Sequence, residues 1–238
     1  MKNISANDFP AATTKEYREL FRSKVIPSWY SGIAHILLNA VSTIATCLYI
    51  STWIEKLTWQ EACALPCTLL LANLSVYLIH KYPLHRPYPL IHSQTFAIHS
   101  LAHHRFYTDE HVVYEQRDDW FILFFPPLVV LSMIFIYLPI MYHLLPLFLP
   151  PNAVYLVMIG SILYFIFYEI FHYISHLPEE HFLLKIRVLR FIRQHHVYHH
   201  NPKLMYSHNF NIVFPVFDYL FGTAYKPPPK SSSQDTNT

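Results

Sequence analysis

The chain has 238 residues, 53% of them hydrophobic and 13% charged, with a formal net charge of +2. A soluble domain carries nearer a quarter charged residues, so the composition argues for a membrane protein and against an ordinary soluble fold. So small a net charge also gives no support to nucleic acid as a partner.

In chain order, residues 1–30 form a segment expected to be cytoplasmic, polar from Met1 to Lys24 and there too poor in apolar residues for a secretory signal. Thr13 or Thr14 is placed to cap a short interfacial helix through Ser23, whose Lys15, Arg18, Arg22 and Lys24 would meet anionic headgroups. Residues 31–223 hold four stretches near the roughly 20 apolar residues that a bilayer core of about 30 Å requires. They run from about Ile33 to Ile54, Ala62 to Ile79, Phe121 to Tyr142 and Val154 to Ile174. Short links, Glu55 to Glu61 and His143 to Ala153, join them as two helical hairpins. Pro126, Pro127 and Pro139 are expected to bend or shorten the third. Residues 224–238, which include KPPPKSSSQDTNT, are expected to be disordered. Cys47, Cys63 and Cys67 lie in or beside apolar segments and read as small buried hydrophobes rather than a disulfide or metal set.

Of the 17 Lys and Arg residues, 16 fall in the N-terminal segment, between His80 and Trp120, or after His176. Cationic loops stay on the cytoplasmic side, which puts both termini and the central loop there. The expected fold class is therefore an all-α integral membrane protein, four transmembrane helices in two hairpins with a cytoplasmic helical cap.

That cap would be rich in histidine. Ten of the 17 histidines fall into four clusters on the same face: His80 and His85; His99, His103 and His104; His172 and His176; His196, His199 and His200. Neutral imidazole is a good ligand for iron, zinc, copper or nickel. Ten are too many for one ion, so two metals are expected. Residues three or four apart share a helix face, and each cluster is expected to aim two or three imidazoles at one point. His80 and His85 are five apart, which does not suit a straight α-helix. The helix is expected to end near Lys81, with Pro83 turning His85 back. Glu169, three residues before His172, is expected to accept a hydrogen bond from a ligand imidazole, ahead of direct ligation or a structural ion pair. Asn73 and Tyr77 precede His80 by seven and three and read mainly as packing. His92, His111, His181 and His208 read as surface or substrate-lining residues, His35 and His143 as packing residues. His195 competes with His196 for a place in the fourth cluster, and His196 alone gives the H-x-x-H-H spacing.

The sequence HKYPLH (80–85), HSLAHH (99–104), HYISH (172–176) and HVYHH (196–200) resembles, box by box, the fatty acid hydroxylase/sterol desaturase superfamily of membrane non-haem di-iron enzymes. YEIFHY (168–173) is similar to the family's Tyr-acid-x-x-His-Tyr stretch. HNFNIVFPVFDYLFGT (208–223) is similar to its closing run, with Asp218 as the acid and a structural role expected for it. The resemblance covers roughly residues 30–223. It implies that the ten clustered histidines are metal ligands, that two Fe ions (Zn as a substitute) are the cofactors, and that O2 is the co-substrate. Two features depart from the fatty-acyl 2-hydroxylases: three residues rather than two separate His99 from His103, and Leu177 and Pro178 follow His176 where those enzymes often have a second histidine. Both leave the subgroup open.

The expected function is O2-dependent oxidation, by hydroxylation or desaturation, of a C–H bond in a fatty acyl or sphingolipid-type substrate drawn from the membrane lipids. A sterol- or carotenoid-type substrate is the alternative within that class. Outside it stand a non-catalytic lipid- or metal-binding membrane protein and a metal transporter, although transport sites normally lie near the mid-membrane. No haem domain, flavin motif or iron–sulfur cysteine set is read in the sequence. Electrons are therefore expected from a separate donor of cytochrome b5 or ferredoxin type. The cationic run Lys185, Arg187, Arg190 and Arg193 would dock such a donor or bind anionic headgroups. The membrane would be the bacterial inner membrane or the endoplasmic reticulum.

Overall fold

A computed structural model describes residues 12–87 and 93–228 of the chain. Among these, all regular structure is helical. Helix α1 (Thr14–Lys24) starts at a capping box in which Thr13 Oγ1 accepts from Glu16 N at 3.2 Å and Glu16 Oε2 from Thr13 N at 3.3 Å. Helix α2 (Gly32–Ser51) is the first span, and α3 (Trp59–Leu84) returns from a second capping box at Thr58 and Glu61. The central loop carries α4 (residues 93–106) and the short α5 (Trp120–Leu123). Spans α6 (Pro127–Leu147) and α7 (Pro151–Ser175) form the second hairpin. Helix α8 (Arg187–His199) and the short α9 (Val216–Leu220) complete the chain.

The four long helices make this a multi-pass membrane protein. Half of the α7 span is buried, against 11–22% of each of the others, so α7 is the central post. It packs on α2, α3, α6 and α8. Gly160 permits its close approach to α3: a Cβ there would sit 3.1 Å from both Leu65 Cδ1 and Thr68 Cγ2. The remaining spans turn Leu37, Ile44, Leu71 and Phe135 outward, as lipid contact requires. Cys63 and Cys67 also lie on the exposed face of α3 rather than in a buried core, and no disulfide is present among the described residues. At the end of the bundle away from the histidines, Asn152 bonds the Glu55 backbone in both directions and reaches Glu61, tying the two hairpins together.

Two spans differ from the sequence expectation. The third does not begin at Phe121. Residues 120–123 form α5, the chain is extended through Phe124 and Pro126, and α6 starts with Pro127 in its first turn. A proline lacks the N–H that a helix interior needs and forces its predecessor out of the helical region, so the helix restarts at Pro127. The second span does not end near Lys81. It continues as a π-helical turn, His80–Leu84, with Pro83 inside it.

Helix α1 packs on the central loop, and two of the four cations expected to meet headgroups are engaged there. Tyr17 and Phe21 are buried against Phe106, Tyr107 and Leu123. Arg18, 2% exposed, donates to Phe106 O at 2.7 Å and to His111 O, and pairs with Glu115 at 2.9 Å. Arg22 grips Asp119 with Nε at 2.7 Å and Nη2 at 2.9 Å. These arginines are consumed in fastening α1 to the central loop. At the other end, backbone order continues past residue 223: Ala224 N donates to Asp218 O at 3.0 Å and Tyr225 N to Asn209 Oδ1 at 2.7 Å. His92 and residues 229–238 lie outside the described residues.

Candidate metal centre

The histidine end of the bundle is built on two kinds of helix. The chain is π-helical over His80–Leu84 and again over Ala97–His103. Bonds in a π-helix run from i to i+5, so residues five apart share a face. His80 therefore stands with His85, and His99 with His104. Helices α7 and α8 are ordinary α-helices, which bring His172 to His176 and His196 to His200 at i, i+4.

The ten histidines form two buried groups. The first is His80, His85, His99, His104 and His199; the second is His103, His172, His176, His196 and His200. Within each, one nitrogen per ring lies within 4.8 Å of all the others. The second and fourth clusters are therefore each split between groups, contrary to the expectation that every cluster serves one point. Neighbours on a helix point in different directions, so His103 and His104 part company, as do His199 and His200. The groups adjoin: the His104 and His200 rings stack at 4.3 Å.

Outer hydrogen bonds set the tautomers of six of the ten rings. Nδ1 donates to a backbone carbonyl in His80 (Phe210 O, 2.6 Å), His199 (His208 O, 2.9 Å), His103 (Ile122 O, 3.0 Å), His176 (Val112 O, 2.6 Å) and His200 (Tyr107 O, 2.5 Å). His85 Nδ1 donates to Ser100 Oγ at 3.1 Å, whose own proton goes to Leu84 O at 2.7 Å. A carbonyl only accepts, so the proton of each neutral ring is on Nδ1 and the Nε2 lone pair is bare. Those lone pairs converge. His85 Nε2 lies 2.9 Å from His199 Nε2, with neither able to donate to the other. In the second group the bare Nε2 atoms of His176 and His200 lie 3.3 Å and 2.9 Å from His196 Nε2, whose own Nδ1 is buried with no hydrogen-bond partner. His103 Nε2 is buried with no hydrogen-bond partner.

Burial holds the rings neutral. It pushes the His103 imidazole down to about 3, and His99, His104, His176, His196, His199 and His200 well below their ordinary range, each helped by neighbouring imidazoles. Facing lone pairs in a buried pocket repel one another unless a cation lies between them. The donor set, all imidazole, five to a group, fits a pair of borderline transition-metal ions.

Other residues singled out in the sequence stand apart. Glu169 is buried, but its Oε1 accepts from Phe125 N at 3.1 Å rather than from a clustered imidazole. The carbonyl of the same residue accepts from His35 Nε2 at 2.8 Å and Asn39 Nδ2 at 3.2 Å. Three side chains from α2 and α7 thus clamp the Phe125 peptide, just where Pro126 and Pro127 interrupt the helix and leave its backbone groups in need of partners. His195 faces away from the groups and bonds Asp218 at 3.0 Å. His111 and His181 make local turn bonds, His208 bonds Ser207, and His143 is exposed. Asn73 is a polar node between α3, α7 and the closing segment, bonding Phe214 O, Tyr164 and Asn211. Tyr77 bonds Thr223. In the cationic run, Arg193 is buried on Leu177 O and Glu179, and Arg190 bonds Leu184 O, which leaves Lys185 and Arg187 outward.

A cavity of about 990 Å³ leads from His99, His103 and His172 to Lys24, Pro27 and Trp29, between α1 and the first span. Its walls are apolar, with Ile98, Phe121, Phe124, Phe125, Val129 and Tyr168 prominent. Sequence reasoning found none of these wall residues. It also missed Ser100 and the five carbonyls that orient the rings, since a backbone carbonyl carries no sequence signal.

No family model matches the chain, and no curated protein matches it. Among solved structures it is similar to one described as full-length Scs7p with only the hydroxylase domain visible. The two share 20% identity over 80% of this chain and 67% of that one, with a TM-score of 0.59. The chain thus has the fold of that hydroxylase domain, and it carries two five-histidine groups at one end of its membrane bundle.

Proposed function

We propose that the chain is a membrane di-iron oxidoreductase of the fatty acid hydroxylase/sterol desaturase type, acting on a fatty acyl or sphingolipid-type substrate. The single observation that carries this reading is the meeting of two five-imidazole groups with the end of an apolar cavity. The ten clustered histidines would hold the metals. When bound, the iron pair would supply the activation of O2 needed to attack an unactivated C–H bond.

The chain's own part is positional. Phe121, Phe124, Phe125, Val129 and Tyr168 would align an alkyl chain, and His99, His103 and His172 face the carbon brought to the end of the cavity. The apolar walls exclude water, which keeps competing reactions from the site. Hydroxylation consumes O2, two electrons and two protons and releases one water. We assign the electrons to a separate donor, with the exposed Lys185 and Arg187 available to an acidic partner. The distribution of Lys and Arg supports placing the histidine end in the cytoplasm, at the bacterial inner membrane or the endoplasmic reticulum.

The test is to express the chain with added iron in a lipid-rich host. Its lipids are then compared by mass spectrometry with those from a His199→Ala, His200→Ala variant. A product one oxygen heavier, made only by the intact chain with about two irons bound, supports a hydroxylase and names its substrate. Loss of two hydrogens points to desaturation, and a modified sterol or carotenoid would redirect the substrate assignment. Fewer than one metal per chain overturns the reading.

A further inference from the structure

The carboxylate of Asp218 bonds none of the ten clustered rings, yet it is fully buried and saturated. Oδ1 accepts from Phe210 N at 2.8 Å and Thr223 Oγ1 at 2.7 Å; Oδ2 accepts from Asn211 N at 2.7 Å and His195 Nε2 at 3.0 Å. Four donors occupy the four acceptor positions that a carboxylate offers. Two of them are consecutive backbone N–H groups, so the carboxylate fixes the peptide plane on which the Phe210 carbonyl sits. That carbonyl receives the His80 Nδ1 proton at 2.6 Å. Two residues earlier, His208 O receives the His199 Nδ1 proton at 2.9 Å. Between them, Asn209 holds φ at 60° and is fastened on both sides, to His195 O at 2.8 Å and by its amide to Thr223 O at 3.0 Å. The second histidine group draws its carbonyls from Tyr107, Val112 and Ile122 instead.

We propose that Asp218 is a positioning residue for the first metal alone: it locks the 208–211 backbone so that two carbonyls aim His80 and His199 at one ion. This rests on the two-metal reading above. Outer partners that orient a ligand ring typically change metal affinity by about 10–100-fold. An Asp218→Asn amide would turn a donor toward one of the two backbone N–H donors, Phe210 N or Asn211 N, and the loop would lose its register.

The test is metal stoichiometry of the full-length chain in detergent, loaded with zinc alone and challenged with a chelator, with no activity readout. Wild type is measured first: two tightly held ions are expected, and fewer than one would sink the two-metal reading rather than this proposal. Asp218→Asn should release one ion about 10–100-fold faster while the other stays as in wild type. Combination variants locate the loss. Asp218→Asn with His172→Ala should release its remaining ion about 10–100-fold faster than His172→Ala alone. Asp218→Asn with His80→Ala should match His80→Ala alone, at about one ion. Should Asp218→Asn fail to fold, Thr223→Val removes one donor and should speed release of the same single ion. Release of both ions alike, or of neither, from a folded variant overturns the proposal, because a merely structural residue would not select one site.

Discussion

The two histidine groups mirror each other in composition and differ in what holds them. Boxes one and two supply two rings each to the first group and box four one; boxes three and four supply two each to the second and box two one. The first group is braced by the closing segment, through the His208 and Phe210 carbonyls, and by Ser100. The second is braced by the central loop, through Tyr107, Val112 and Ile122. That loop is in turn fastened to α1 by the Arg18 and Arg22 ion pairs. The two groups thus lean on different carbonyls, and on the two-metal reading damage to either frame should be readable as loss of one ion.

Direct ring removal should give the largest effect. His85→Ala and His176→Ala are each expected to leave about one tightly bound metal and to cut lipid oxidation by more than about 100-fold, since ring loss should exceed the effect of outer partners. Metal analysis beside product mass spectrometry checks both numbers; identical loss of both ions in either variant would dissolve the distinction between frames.

Next comes the central-loop frame. Asp119 is fully buried, receives Arg22, and caps the Glu115 and Gln116 amides. Asp119→Asn should cost about 3 kcal/mol, as breaking a buried ion pair does. It should also loosen the second ion more than the first. Thermal unfolding and chelator release measure these, and preferential loss of the first ion would contradict the assignment.

A substitution in the cavity should spare both frames. Ile98→Trp, on the wall beside His99, is expected to retain two metals while lowering turnover of a long-chain substrate about tenfold or more, the scale of a steric misfit in an apolar pocket. Unchanged turnover with two metals bound would move the substrate elsewhere.

The smallest effect is a pH dependence in the α1 clamp. The hydrogen bond from Arg22 holds the Glu115 carboxyl below its ordinary value of 4.5. A depressed folded value means that the unfolded chain binds the proton more readily. The stabilisation is therefore full above about 4.5 and is lost as pH falls through the folded value. The stability difference between wild type and Glu115→Gln should accordingly be present at neutral pH and shrink on acidification below that range. A difference constant with pH would remove Glu115 from the clamp.

The sequence by itself determined the class of fold, the four spans and the ten histidines. Apolar length is a local property, and imidazole chemistry travels with the residue whatever its neighbours. It also carried the proline break, though not its consequence: Pro126 and Pro127 told of a disturbed third span, and only the fold made the break a clamped corner at Phe125. What the tertiary structure alone decided was which ring joins which ion. The spacing of His80 and His85 suited no straight α-helix, and a π-turn with Pro83 inside it put them on one face. His103 and His104, adjacent in sequence, ended in different groups. The carbonyls that orient the rings come from residues as unlike as Val112, Tyr107 and Phe210. A backbone acceptor has no side-chain signature, so only the path of the folded chain could choose it.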